Sequence, residues 1–170
     1  LSSMIFRLNL WMDIIMLGFL SQSTELGVYK IAVSLATFGS LAITAVNAIF
    51  NPIVSELMVA KKLDELNVLL KQVTRWTMIL SHTVILALFL GSDIWLQVFD
   101  PEYLQSETSL HILLAGQFCV VICAASMRLI PMSGHTTLNL INGIVASILN
   151  LGLNFLLIPK YGSEGAAMAT

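Results

Sequence analysis

The chain has 170 residues, 57% of them hydrophobic and 11% charged, with a mean hydropathy of +0.88 and a formal net charge of −2. Soluble domains carry about a quarter charged residues, so this composition excludes a soluble globular protein, which would lack the polar surface to cover its apolar side chains. Eight Lys and Arg with no basic patch exclude nucleic acid as a partner.

An all-α, polytopic helical membrane protein is the class that remains, since only helices and closed barrels satisfy the backbone in lipid. The first apolar run, about 1–20, carries Arg7, Asn9 and Asp13. A short polar turn at 21–25 leads to a second span, about 26–50, with Lys30 one turn in. From Asn51 to Trp76 the apolar positions Ile53, Leu57, Ala60, Leu63, Leu66, Leu70 and Val73 recur every three or four residues. That period predicts an amphipathic helix over 52–75, with Pro52 in its first turn. Lys61, Lys62, Lys71 and Arg75 make it basic and suit it to a membrane surface.

A third span follows at about 76–95 and includes His82. Residues 92–109 read as an acidic loop with Asp93, Asp100, Glu102 and Glu107, broken by Pro101. The fourth span, about 110–130, contains His111 and Gln117 and ends near Arg128. Its Cys119 and Cys123 lie four apart on one face and read as small packing residues, not a disulfide or metal pair. After a tight turn at 131–137 comes a fifth span, about 138–158, with Asn139, Asn142, Asn150 and Asn154, stopped by Pro159. A truncated sixth span is expected from 163. Leu1 is not a start methionine and Ala169-Thr170 fall in the opening turns of a helix, which reads as a fragment of a longer protein.

Sidedness follows from Lys and Arg. The connections at 51–75 and 128–137 hold five of them, whereas those at 21–25, 92–109 and 159–164 hold only Lys160 against six acids. The first set is therefore expected in the cytoplasm.

Asp13 is the sharpest candidate for chemistry. About seven residues at about 1.5 Å each separate it from the outer end of its span, placing it inside the hydrocarbon. A carboxylate there needs a partner or a wet cavity. It either binds substrate, a proton or a cation, or is held by an interhelical hydrogen bond. Asn9 precedes it by one turn on the same face. Arg7, Lys30 and Arg128 either point into a central cavity or snorkel to the headgroups. Asn150 and Asn154 either bond between helices or line a hydrated path, where an amide both donates and accepts. His82 and His111 read as polar links between helices, with no metal site assigned. Asp100 and Glu102 flank a proline in a solvated loop. No nucleophile has a base beside it and no phosphate cradle is present, so no enzyme activity and no cofactor are implied.

Several stretches together resemble a known family. These are Asp13 to Lys30 (DIIMLGFLSQSTELGVYK), the Asn51-Pro52 step after a span, the acidic loop before Leu110, and Asn150 to Thr170 (NLGLNFLLIPKYGSEGAAMAT). In their order they resemble the polysaccharide (O-antigen and capsule) flippases of the multidrug/oligosaccharidyl-lipid/polysaccharide exporter superfamily. The resemblance implies about twelve spans in two six-helix lobes, with this chain as the C-terminal lobe supplying about the seventh to eleventh. It implies a bacterial cytoplasmic (inner) membrane, an undecaprenyl-pyrophosphate-linked glycan as substrate, and transport by alternating access. Membrane lipid and the missing N-terminal lobe are the implied partners. Alternatives are an ion-coupled multidrug exporter of the same superfamily, or a membrane-embedded glycosyltransferase or polymerase.

Overall fold

The computed structural model of the chain describes residues 12–19, 23–132 and 136–170. All regular structure among them is helical: α1 (12–19), α2 (Ser23–Val59), α3 (Leu63–Leu90), α4 (Ser92–Phe99), a 3-10 helix (Pro101–Ser106), α5 (Glu107–Met132) and α6 (Thr136–Ala169). Four stretches are long and apolar enough to cross a membrane: Glu25–Val59, Leu63–Leu90, Pro101–Cys123 and Leu140–Ala169. The expected spans at 26–50, 110–130 and 138–158 overlie α2, α5 and α6, and that at 76–95 follows α3 only to Leu90, its last residues passing through Gly91 into α4. Most of the expected 1–20 span lies outside the described residues.

Burial follows the pattern of a bundle in lipid. Leu17, Tyr29, Ala32, Leu35, Leu110, Leu114, Ile158 and Ala166 form the core, while Phe38, Leu86, Ile148 and Phe155 are turned outward. Cys119 and Cys123 are exposed on α5, so the packing role expected of them is corrected: their shared face is the one turned away from the bundle.

The expected surface helix at 52–75 takes a different form. α2 runs unbroken through Pro52 to Val59, and α3 begins at Leu63. Proline removes one backbone bond and kinks a helix without having to end it. The reversal comes at 60–62, where Lys62 N–H donates to Leu57 O (3.0 Å) and Lys61 N–H to Met58 O (3.1 Å), with Lys61 at φ 56°. This is the paired-bond C-terminal motif that usually places glycine in the left-handed position. α2 has 37 residues, and at about 1.5 Å each that exceeds the roughly 30 Å of hydrocarbon. Lys61 and Lys62 are thus at the tip of the helical hairpin formed by α2 and α3.

The acidic loop is also more ordered than its composition suggests. Residues 92–99 are helical, and the Asp100 carboxylate accepts a bond from Glu102 N–H (2.9 Å), capping the 3-10 helix that Pro101 opens.

α6 passes through Pro159 and breaks three residues later, at Gly162 (φ 53°, ψ −127°), where the chain turns back on itself. A Cβ at Gly162 would stand 2.6 Å from Glu25 Oε2 of α2, and one at Gly165 would overlap the Leu157 carbonyl. Both glycines let the returning arm, 163–169, lie directly against the first.

Candidate functional site

That reversal builds the site. Asn150 and Asn154 are one turn apart on the first arm of α6 and face the same way. Residues 166–170 return beside them, and α1 brings Asp13 between the two. Asp13 is buried at 4% exposure and Asn154 at 0%.

The hydrogen bonds converge on one carboxylate. Asn154 Nδ2 donates to Asp13 Oδ1 at 2.6 Å and Asn150 Nδ2 donates to the same oxygen at 3.0 Å. The Thr170 hydroxyl donates to Asp13 Oδ2 at 2.6 Å, with the Ala166 carbonyl a longer alternative at 3.0 Å. Asn150 Nδ2 also reaches the Ala169 carbonyl (3.2 Å), tying the two arms of α6 together. Asn154 Nδ2 lies within reach of Asn150 O and Oδ1 as well (3.0 and 3.1 Å), so its two protons are shared among three acceptors.

Two polar atoms at this place are left over. Asn154 Oδ1 and the Tyr29 hydroxyl are buried without a hydrogen-bond partner. Tyr29, wholly buried on α2, turns its hydroxyl towards Thr170 and Asp13 without meeting either at bonding geometry. A buried polar group without a partner costs free energy, more so in hydrocarbon. The cluster therefore holds an unpartnered amide oxygen and an unpartnered hydroxyl alongside the hydrogen-bonded carboxylate.

Chemically, a buried carboxylate among amide and hydroxyl groups is suited to a proton or a small monovalent cation. One carboxylate supplies one negative charge, and a single positive charge neutralises it at hydrocarbon depth. A divalent ion would leave an excess charge there. Asn154 Oδ1, the Tyr29 and Thr170 oxygens and the carboxylate are hard donors suited to an alkali cation. Among the described residues, no basic side chain bonds to Asp13.

The other candidates separate from this cluster. Arg7 and Asn9 lie outside the described residues. Lys30 follows Tyr29 on α2 but is exposed, on another face of the helix. Arg128 is helical in backbone, and its side chain lies outside the description, as does that of Asn139. Asn142 is exposed, whereas Asn150 and Asn154 bond to Asp13. His82 donates through Nδ1 to the Met78 carbonyl (2.8 Å) and meets Phe118 edge-on. His111 joins α5 to the start of α4 through Ser92 Oγ (3.0 Å). Tyr29 and Thr170 were not singled out from sequence. The Gly162-x-x-Gly165 turn was the available signal for Thr170, because a tight return folds 166–170 onto 150–154.

A probable flippase, AglR, of Haloferax volcanii is 27% identical over 169 residues, covering 94% of this chain and 34% of the relative. The chain thus spans about a third of that relative's length. No solved structure matches. The MatE family model matches residues 1–156, nearly the whole sequence and all of the site up to Asn154. Matched over that length, the chain belongs to the MatE family of membrane transporters.

Proposed function

We propose that the protein is a flippase that moves a polyprenyl-linked glycan across the cytoplasmic membrane by alternating access, driven by a proton or monovalent cation bound at Asp13. The buried Asp13 carboxylate carries this reading, because side chains from both arms of α6 hold it and α1 contributes it. A bound proton or cation neutralises the charge where α1 meets the α6 reversal; without it the Asn150, Asn154 and Thr170 bonds alone hold a charged carboxylate at that depth, which favours separation. Two states that differ by one charge are what an ion gradient can drive.

The glycan part rests on the resemblance of the ordered motifs and on the flippase name of the archaeal relative. The same sources support a C-terminal lobe completed by a first lobe elsewhere in the protein. The motif likeness points to a bacterial inner membrane and an undecaprenyl-pyrophosphate carrier. The relative is archaeal, so the proposal rests on the shared chemistry, a polyprenyl-phosphate-linked sugar. An ion-coupled multidrug exporter is the second reading, favoured by the absence of any sugar-specific group in the Asp13 cluster itself.

In cells that depend on the intact protein for surface glycan, Asp13→Asn keeps the shape of the side chain and removes its charge. It should abolish glycan export while the protein reaches the membrane at its normal level. Normal export would remove Asp13 from the mechanism. Retained glycan export combined with loss of dye resistance would favour the drug exporter.

A further inference from the structure

We propose that α4 is an interfacial helix, lying in the headgroup–acyl boundary of an electrically neutral leaflet and not in free water. Neither the family match nor the transport reading assigns this segment a role, and its composition reads as an acidic loop.

The eight residues of α4 divide the helix into three sectors. Ile94, Trp95, Val98 and Phe99 are all exposed, at 64, 44, 72 and 55%. At 3.6 residues per turn they cover a continuous sector of about 140°. Leu96 and Ser92 form the next sector and are buried against the protein, at 0 and 4% exposure. Asp93 and Gln97, exposed, take the third. A helix wholly in water has no use for the first sector, and a core helix would not have the third. Three sectors are what a helix shows where protein, lipid and water meet.

Its place in the chain bears on its height. α4 lies between the candidate spans Leu63–Leu90 and Pro101–Cys123, separated from the first by Gly91 and from the second by Asp100. The Ser92 hydroxyl donates to Glu107 Oε1 (2.8 Å) and lies 3.0 Å from His111 Nε2, holding the start of α4 to the first turns of α5. The apolar sector continues the outward face of α3, where Leu86, Phe89 and Leu90 are exposed. Tryptophan at the end of a span is a side chain that settles at the headgroup level, its ring apolar and its N–H polar.

Charge selects the leaflet. Residues 92–107 contain Asp93, Asp100, Glu102 and Glu107 and no Lys or Arg. An anionic surface repels such a segment, so insertion relies on apolar area and is strongest in zwitterionic lipid.

The test uses the intact protein with Trp95 as its sole tryptophan, every other one replaced by Phe, Trp11 and Trp76 included. It is reconstituted in phosphatidylcholine vesicles whose acyl chains carry bromine either near the carbonyls or near the terminal methyl. Trp95 emission should be quenched strongly by the shallow bromines, weakly by the deep ones and weakly by aqueous iodide. Adding phosphatidylglycerol should weaken the shallow quenching, and Val98→Asp should shift the emission to longer wavelength and open Trp95 to iodide. Ready iodide quenching without bromine quenching would place α4 in water. Protection from both quenchers would place it against protein. Either result overturns the proposal. Should the tryptophan-free background fail to fold, Val98→Cys carrying an environment-sensitive dye, with Cys119 and Cys123 replaced by Ser, gives the same readings.

Discussion

Asn154 is the most heavily committed side chain of the polar cluster: wholly buried, 2.6 Å from Asp13 Oδ1 and in contact with Asn150. Replacing it with Leu keeps the branched shape and removes the shorter of the two amide bonds to that oxygen. The expected loss is about 1–2 kcal/mol, because the carboxylate becomes underbonded in an apolar setting. Thermal unfolding of the protein in nanodiscs measures it, and Asn154→Leu combined with Asp13→Leu should recover part of the loss. Gly162 makes a second case at this scale. Its φ of 53° and the Glu25 carboxylate 2.6 Å from a would-be Cβ both oppose a side chain. Gly162→Ala should cost about 1–2 kcal/mol in the same assay. It should also reduce transport, since Thr170 reaches Asp13 only through that reversal.

At the scale of the element, what was legible in the sequence and what was not follow from local chemistry. Apolar length alone marks the long helices, and Asp13, Asn150 and Asn154 stand out as polar groups in apolar spans. Their meeting was not legible. Asp13 and Asn154 are 141 positions apart and come together through helix packing, which leaves no local signal. The hairpin tip was misread for a definite reason. Pro52 suits a first helical turn, yet it lies inside α2, and the real turn has Lys61 where glycine is the usual sign. Two substitutions check this geometry. Lys61→Gly should stabilise by up to about 1 kcal/mol, relieving a left-handed side chain. Pro52→Ala should straighten α2, which spin labels at Leu41 and Val59 would detect as an increased separation. A proline at the start of a separate helix would give no such change.

For the whole molecule, the asymmetry of Lys and Arg and the length of α2 point the same way. The hairpin tip holds Lys61 and Lys62, with Val59 and Leu63 exposed at 85 and 68%. The acid-bearing connection at 92–107 belongs to the opposite ends of the same spans. A membrane-impermeant thiol reagent should therefore label Val59→Cys only from the cytoplasmic side. Labelling from outside would invert the topology and with it the direction of the proposed export. The Asp13 cluster joins α1 to both arms of α6. In the proposed mechanism its single charge decides which arrangement of these helices is favoured.

The most direct measurement is flipping of a fluorescent polyprenyl-linked glycan by the intact protein in sealed vesicles, with and without an imposed proton or sodium gradient. Wild-type flipping should accelerate under one of the two gradients, while Asp13→Asn should run at one slow rate whatever gradient is imposed. An Asp13→Asn protein that responds to the gradient as the wild type does would contradict the assignment of this carboxylate as the coupling site.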